Sequence, residues 1–164
     1  MRDDRAVTGP ELRIRDVELA DVPAVIALVS DVLAEFGLEF GKGSPTDDEL
    51  RELPDSYAAR GGAFWIAERD GVVVGTCGLF PVAPATFELR KMYLRPSTRG
   101  AGLGRRLLDV AIAFARARGA TQIVLDTVEE MRAAIAFYEA HGFVRDDAQI
   151  RGARCSRGYR LRVE

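Results

Sequence analysis

The turn Arg99-Gly100-Ala101-Gly102-Leu103-Gly104 has the residue types of an anion-binding loop. Its glycines alternate where a strand gives way to a helix. Such a junction exposes the first N–H groups of the helix, which have no intrahelical acceptor. Glycine permits positive φ and close backbone approach, and the helix dipole adds partial positive charge. Phosphate is the anion that such a site takes. Arg99, Arg105 and Arg106 add full charges beside it. Three classes of phosphate-bearing cofactor compete. The phosphate loop Gly-x-x-x-x-Gly-Lys-[Ser/Thr] is absent. The dinucleotide pattern Gly-x-Gly-x-x-Gly fails because Arg105 stands where its third glycine belongs, although Asp126 lies about where a ribose-binding acid would. Coenzyme A is the third class.

Other reactive residue types have plainer readings. Cys77 and Cys155 lie far apart without metal spacing, so no metal is expected. Cys77 sits in an apolar run and reads as a small core residue. His141, the one histidine, precedes Gly142 at a helix end, where a cation suits the dipole. Asp126 and Glu129 close a strand and open the next loop; caps explain them, and one of them facing an acceptor is the alternative. Asp47, Asp48 and Glu49 form an acidic cluster at a helix start, explained by solvation and the dipole; a bias toward cationic acceptors is the sharper alternative. Strand parity puts Glu88, Arg90 and Met92 on one face, unless a bulge before Leu94 changes the count.

The elements that must hold these residues follow from periodicity. Leu12 to Arg15 alternates like a half-buried strand. Asp21 is the expected N-cap of a helix with Pro23 in its first turn and Val22, Val25, Ile26, Val29 and Leu33 on one stripe. A glycine-rich linker spans Gly37 to Pro45. A weaker helix runs from Asp47 to Ala59, interrupted near Pro54. Strands over Ala63–Glu68 and Val72–Phe80 flank the Asp70-Gly71 turn, with Phe64 and Trp65 packed in the sheet. Thr86 to Leu94 is another strand. Leu103 to Arg118 is the clearest helix, with Leu107, Leu108, Ala111, Phe114 and Ala115 on its stripe and Gly119 ending it. Gln122 to Thr127 is apolar enough to be a central parallel strand. A short helix over Met131–His141 and strands over Phe143–Val144 and Tyr159–Val163 complete the order.

A chain of 164 residues fits one domain. Residues 1–10 read as a flexible tail and 11–164 as the domain. A net charge of −2 attracts neither nucleic acid nor an anionic membrane. No run reaches the ~20 apolar residues of a membrane span. The charged start, Arg2 to Arg5, has no apolar stretch behind it, so no signal peptide is expected and the cytoplasm is the expected compartment.

The glycine turn resembles the Arg/Gln-x-x-Gly-x-Gly/Ala signature of the GCN5-related N-acetyltransferase (GNAT) superfamily. The preceding segment Glu88-Leu89-Arg90-Lys91-Met92-Tyr93-Leu94-Arg95-Pro96 resembles that family's fourth strand. Ala134-Ile135-Ala136-Phe137-Tyr138-Glu139-Ala140-His141-Gly142-Phe143 resembles its late helix. The likeness covers roughly residues 12 to 163 in element order and is specific over 86–146. It implies an α/β (α+β) fold: a mixed, mostly antiparallel central sheet of about seven strands, flanked by helices on both faces, with splayed central strands.

The resemblance also implies roles. The pyrophosphate of acetyl-CoA would sit on the amides of Arg99, Gly100, Ala101, Gly102, Leu103, Gly104 and Arg105. The pantetheine arm would pair with the backbone of Met92, Tyr93 and Leu94, and the Met92 and Tyr93 amides would face the acetyl carbonyl. Tyr138 matches the tyrosine that protonates the leaving thiolate, and Glu88 stands where family members place a catalytic base. Phe40 and Tyr57, by position between the first two helices, are expected to wall the acceptor site, with Arg90 beside them. The implied acceptor is an amine on a small molecule or peptide, and a homodimer is the implied assembly. Many members carry Asn where this chain has Met131, so that contact with the pantetheine is lost or replaced, and Met131 is expected to line the pocket.

Overall fold

The computed structural model describes residues 12–164, and the tail expected over 1–10 lies outside the described residues. One sheet of seven strands runs through the chain in the order β1-β2-β3-β4-β5-β7-β6. The strands are β1 (Leu12–Asp16), β2 (Ala63–Arg69), β3 (Val72–Ala83), β4 (Thr86–Leu94), β5 (Gln122–Thr127), β6 (Val144–Arg145) and β7 (Arg157–Arg162). Only β4 and β5 pair in parallel; the other neighbours are antiparallel. The helices are α1 (Val22–Ala34), α2 (Asp55–Ala58), α3 (Leu103–Ala117) and α4 (Arg132–Ala140). The expected mixed sheet with covered faces is therefore present. No helix among the described residues is long and apolar enough to cross a membrane.

Alternation along the strands builds a core on each face. Trp65 and Ala67 of β2 join the cluster under α3 and α4, with Leu107, Ala111 and Ile123. Phe64 and Ile66, one residue out of phase, join the cluster under α1, with Leu28, Leu33 and Tyr57. The periodic stripe of α3 is buried as its spacing predicts, except that Phe114 is only partly covered.

Three local differences from the sequence reading have physical causes. The weak helix over Asp47–Ala59 is a 3-10 segment, Pro45–Glu52, followed by the single turn α2; proline at 54 leaves no donor to continue a helix. Asp21 does not cap α1 through its side chain, because its oxygens accept from Arg15 and from the Glu18 N–H. Strand β6 starts at Val144, since the Phe143 N–H is spent on the Tyr138 carbonyl in closing α4 and its ring is buried.

The largest consequence comes from a bulge. Gly78 pairs with Arg90 and Thr76 with Tyr93, so Lys91 and Met92 together oppose Cys77. Lys91 takes φ of 53°, and the Thr76 hydroxyl donates to its carbonyl at 2.7 Å. The extra residue reverses parity. Arg90 stays on the α1 side, over Phe80, while Met92 packs against the cluster under α3. Glu88, Arg90 and Met92 thus do not share a face, which corrects the simple parity count.

Leu107 is fully buried and Leu19 is 72% exposed. Leu107→Ala is expected to lower unfolding free energy by about 2–5 kcal/mol, whereas Leu19→Ala should change it by no more than about 0.5 kcal/mol. Urea titrations of the two variants beside the parent check this core assignment.

Candidate active site

The single parallel pairing is short. Thr86, Phe87 and Glu88 of β4 match Gln122, Ile123 and Val124 of β5, and there the ladder stops. Past Glu88 the strands part, leaving the β5-facing edge of β4 without a strand partner. A cavity of about 810 Å³ lies in this fork. Its lining includes Gly100, Gly102 and Gly104 of the turn, Met92 and Tyr93 of the bulged strand, and Glu88 at the vertex. The splay expected of the central strands is thus the geometric origin of the site.

At the turn, Gly100 and Gly102 hold φ of 81° and 84°. A Cβ on either would meet nothing within 4 Å, so the surface over them is open. Gly104 serves packing instead: a Cβ there would lie 3.4 Å from the Phe137 ring. The first ladder bond of α3 runs from Arg106 N–H to the Gly102 carbonyl at 3.2 Å. Among the described residues, no backbone carbonyl accepts the N–H groups of Gly100 through Arg105. The Arg99 N–H differs, since it donates to Pro96. Its guanidinium is also engaged, bonding both Glu35 oxygens at 2.8 Å and the Leu94 carbonyl. Arg99 therefore walls the turn with a paired charge, whereas Arg105, also on the lining, has no carboxylate partner among the described residues. Ala101 is exposed at the tip, and the Leu103 side chain is core; neither lines the cavity.

Glu88, only 4% exposed, closes the vertex. Its Oε1 accepts from Arg90 Nε at 2.6 Å and its Oε2 from Arg151 Nη1 at 3.3 Å. Arg90 reaches on to Glu49 at 3.0 Å. A second cluster lies nearby. Asp47, fully buried, accepts from Lys91, from both terminal nitrogens of Arg154 at 3.1 and 3.2 Å, and from the Gly41 N–H at 2.8 Å. The acidic cluster read as solvated helix charge is thus split. Asp47 anchors a buried ion cluster, Glu49 borders the cavity and Asp48 stays outside.

Tyr138 of α4 lines the cavity with its ring packed edge-on to Phe137 and Phe143. Burial pushes its phenol well above the ordinary tyrosine value, and the same cause lifts Tyr93 to about 12. Among the described residues nothing hydrogen bonds the Tyr138 hydroxyl. His141 bonds the Phe137 carbonyl through Nδ1 at 2.8 Å, in keeping with a cap, although it also borders the cavity. Met131 lines it as expected. Cys155 lines it too, its thiol raised to about 12 by burial and by Asp126.

Two expected wall residues are elsewhere. Tyr57 is fully buried beneath the sheet, edge-on to Phe64 and Phe80 at 5.3 and 5.4 Å. Phe40 packs on the α1-side cluster beneath Arg51. That part of the cavity wall comes instead from Ser44, Pro45, Thr46 and Glu49, together with Arg151, Arg154 and Cys155 from the segment before β7. The one sequence signal for that segment is the density of arginine in Arg151-Gly152-Ala153-Arg154-Cys155-Ser156-Arg157.

A profile described as the acetyltransferase (GNAT) family matches residues 29–143. The chain belongs to this family. It is 38% identical over 134 residues to the uncharacterized N-acetyltransferase YjgM of Escherichia coli K12, covering 79% of this chain and 80% of that protein. Against several animal N-acetyltransferase relatives it spans under half of their length. A GNAT acetyltransferase of Staphylococcus aureus Mu50 superposes with a TM-score of 0.87 at 22% identity, over 94% of this chain and all of the other (100%). The yncA protein of Salmonella typhimurium, solved with its cofactor acetyl-CoA, superposes with a TM-score of 0.75 at 21% identity, over 94% and 95% of the two chains. In GNAT terms, the match spans the turn, β4 and α4, while β7 and the arginine-rich segment before it fall beyond the matched range.

The Asp47 cluster has a pH signature. Burial alone would raise this carboxyl, but Lys91, the Gly41 N–H and Arg154 carry it below the usual range. A lowered carboxyl contributes stability that is present above its unfolded value, near about 4, and lost as pH falls through the folded value. Asp47→Asn leaves Lys91 and Arg154 buried without their anion and is expected to cost about 3–5 kcal/mol at neutral pH. The variant should also lose part of the parent's acid sensitivity below about pH 4. Denaturant titrations across that range check both; parallel acid limbs would remove Asp47 from the account.

Proposed function

We propose that this chain is an N-acetyltransferase that moves acetyl from acetyl-CoA to a primary amine of a small molecule or peptide, by direct attack in a ternary complex. The observation that carries the reading is one cavity joining unbonded turn amides to the unpaired edge of β4. The open surface over Gly100 and Gly102 suits a pyrophosphate held by backbone donors at a helix start. Membership of the GNAT family supports it, as does the acetyl-CoA of the Salmonella relative.

In this reading the amides of Gly100 through Arg105 hold the pyrophosphate. The Leu94 carbonyl belongs to Arg99, so the pantetheine arm pairs with Met92 and Tyr93, whose amides also polarise the acyl carbonyl. Acetyl-CoA supplies an activated thioester. The chain's part is orientation and proton traffic. An amine of pKa about 10.4 arrives mostly protonated at neutral pH and must lose that proton before it attacks. Glu88 is the assigned base, fixed at the vertex by Arg90 and Arg151. Tyr138 is the assigned acid, because burial keeps its phenol protonated and able to donate to the departing sulfur. The reading assigns no step to a metal. A cytoplasmic location, one domain over 11–164 and a homodimer belong to it as well, and fractionation and light scattering check the first and last.

Coenzyme A is expected to raise the melting temperature while NAD does not, with about 2.7 kcal/mol of stabilisation at a hundredfold excess over Kd. Tyr138→Phe should lower kcat roughly a hundredfold or more in a thiol-release assay with an amine panel. Glu88→Gln should lower turnover mainly below the amine's own pKa. Tight acetyl-CoA binding without thiol release for any amine, and a Tyr138→Phe protein that behaves like the parent, would instead describe a binding module without turnover.

A further inference from the structure

We propose that the acceptor carries a carboxylate as well as its amine, as an amino acid does, and that Arg151 binds that carboxylate. The inference rests on the acetyltransfer reading and adds the chemical class of its second substrate.

Four cations stand at the Glu88 end of the site: Arg90, Lys91, Arg151 and Arg154. Three of them are paired with carboxylates and have little exposed surface. Arg90 is shared by Glu88 and Glu49, with its side chain 12% exposed. Lys91 and Arg154 are spent on buried Asp47, at 5% and 13% exposure. Arg151 differs. Its side chain is 39% exposed on the cavity lining. Every bond of its guanidinium leaves from Nη1, to Glu88 Oε2 at 3.3 Å and to the Gln149 carbonyl and Oε1 at 3.3 and 3.4 Å. Its Nε and Nη2 donate to no described residue. Those two atoms form the edge of the fork that takes a carboxylate through parallel hydrogen bonds.

The backbone at Arg151 is held for the task. Its N–H and that of Gly152 both donate to Asp126 Oδ2 at 2.7 Å, tying the loop to the end of β5. Asp126 thereby secures the loop.

The charge balance agrees. Asp47, Glu49, Glu88 and Asp126 offset the four cations, so this end of the site has no net demand for a lone cation. A zwitterion enters such a site without adding net charge, whereas a bare ammonium adds one positive charge beside Arg90 and Arg151. The Arg151 guanidinium holds the Oε2 of Glu88 through Nη1 at 3.3 Å, so the carboxylate site and the assigned base share one side chain.

The test compares free α-amino acids with their carboxamides, which keep the amine and lose the anion. Amidation leaves more of the amine unprotonated, so a preference for the acid runs against that bias. For the parent, kcat/KM is expected to favour the acid roughly ten- to a hundredfold, mostly through KM. Arg151→Gln should bring the ratio close to one, and Arg151→Lys should restore part of it by returning the charge without the fork. Arg151 also touches Glu88, so the ratio is the readout, not either rate alone. Equal use of acid and amide by the parent, or a ratio unmoved in Arg151→Gln, overturns the proposal while leaving acetyltransfer standing. Should no amine be acetylated, the acetyltransfer reading fails. Calorimetric titration of the same pairs into CoA-saturated protein then decides the carboxylate: tighter binding of the acid, lost in Arg151→Gln, supports it, and equal binding refutes it.

Discussion

Backbone N–H and C=O groups buried in a sheet must find partners, and β4 and β5 stop supplying each other after three matched positions. Neither strand is left loose by this. Strand β4 keeps its long antiparallel ladder with β3, and β5 keeps its own with β7. The fork is a gap between two well-held half-sheets. Its vertex is fixed at Glu88, and beyond it the β5-facing edge of β4 has no strand partner. The position of α3 follows from the same divergence: the chain leaves the free end of β4 and begins a helix whose first amides border the gap.

Bulge and ion cluster act together at the other end of the fork. The extra residue in β4 turns Lys91 onto the α1 side, where it meets Asp47 from the 3-10 segment and Arg154 from the segment before β7. Removing three charges from water is costly, and such clusters are weak evidence of stability in themselves. What this one does is join three stretches of chain that lie far apart in sequence and wall one side of the cavity. The lysine's unusual φ is held by that ion pair and by the Thr76 hydroxyl.

The parts visible in the sequence share a cause: each is encoded locally. The stripe of α3, the Asp70-Gly71 hairpin, the alternation in β2 and the glycine turn are patterns within a dozen residues, set by periodicity or by the φ that glycine permits. The features that escaped are non-local. Nothing near Asp47 in the chain says that it will meet Lys91 and Arg154, and the bulge allowed for before Leu94 could not be placed at Lys91, because a lysine carries none of the marks of one. Tyr57 and Phe40 lay in the right segment, but apolar mass there is drawn to the α1-side core, and the polar Ser44, Thr46 and Glu49 are left to face the cavity. Arg99 was legible as a charge beside the turn and illegible as a paired one, because Glu35 lies a long loop and several strands away.

Glu35 and its neighbour one turn back, Asp31, bear on the electrostatics beside the turn. They sit at the C-terminal end of α1, where the helix already carries partial negative charge and carboxylates are unwelcome. Arg95 and Arg99, spaced identically along the chain between β4 and α3, cover them. The two arginines thus screen a patch of concentrated negative potential next to the turn. Without that cover, the two carboxylates would work against anion binding at the turn in the proposed reading.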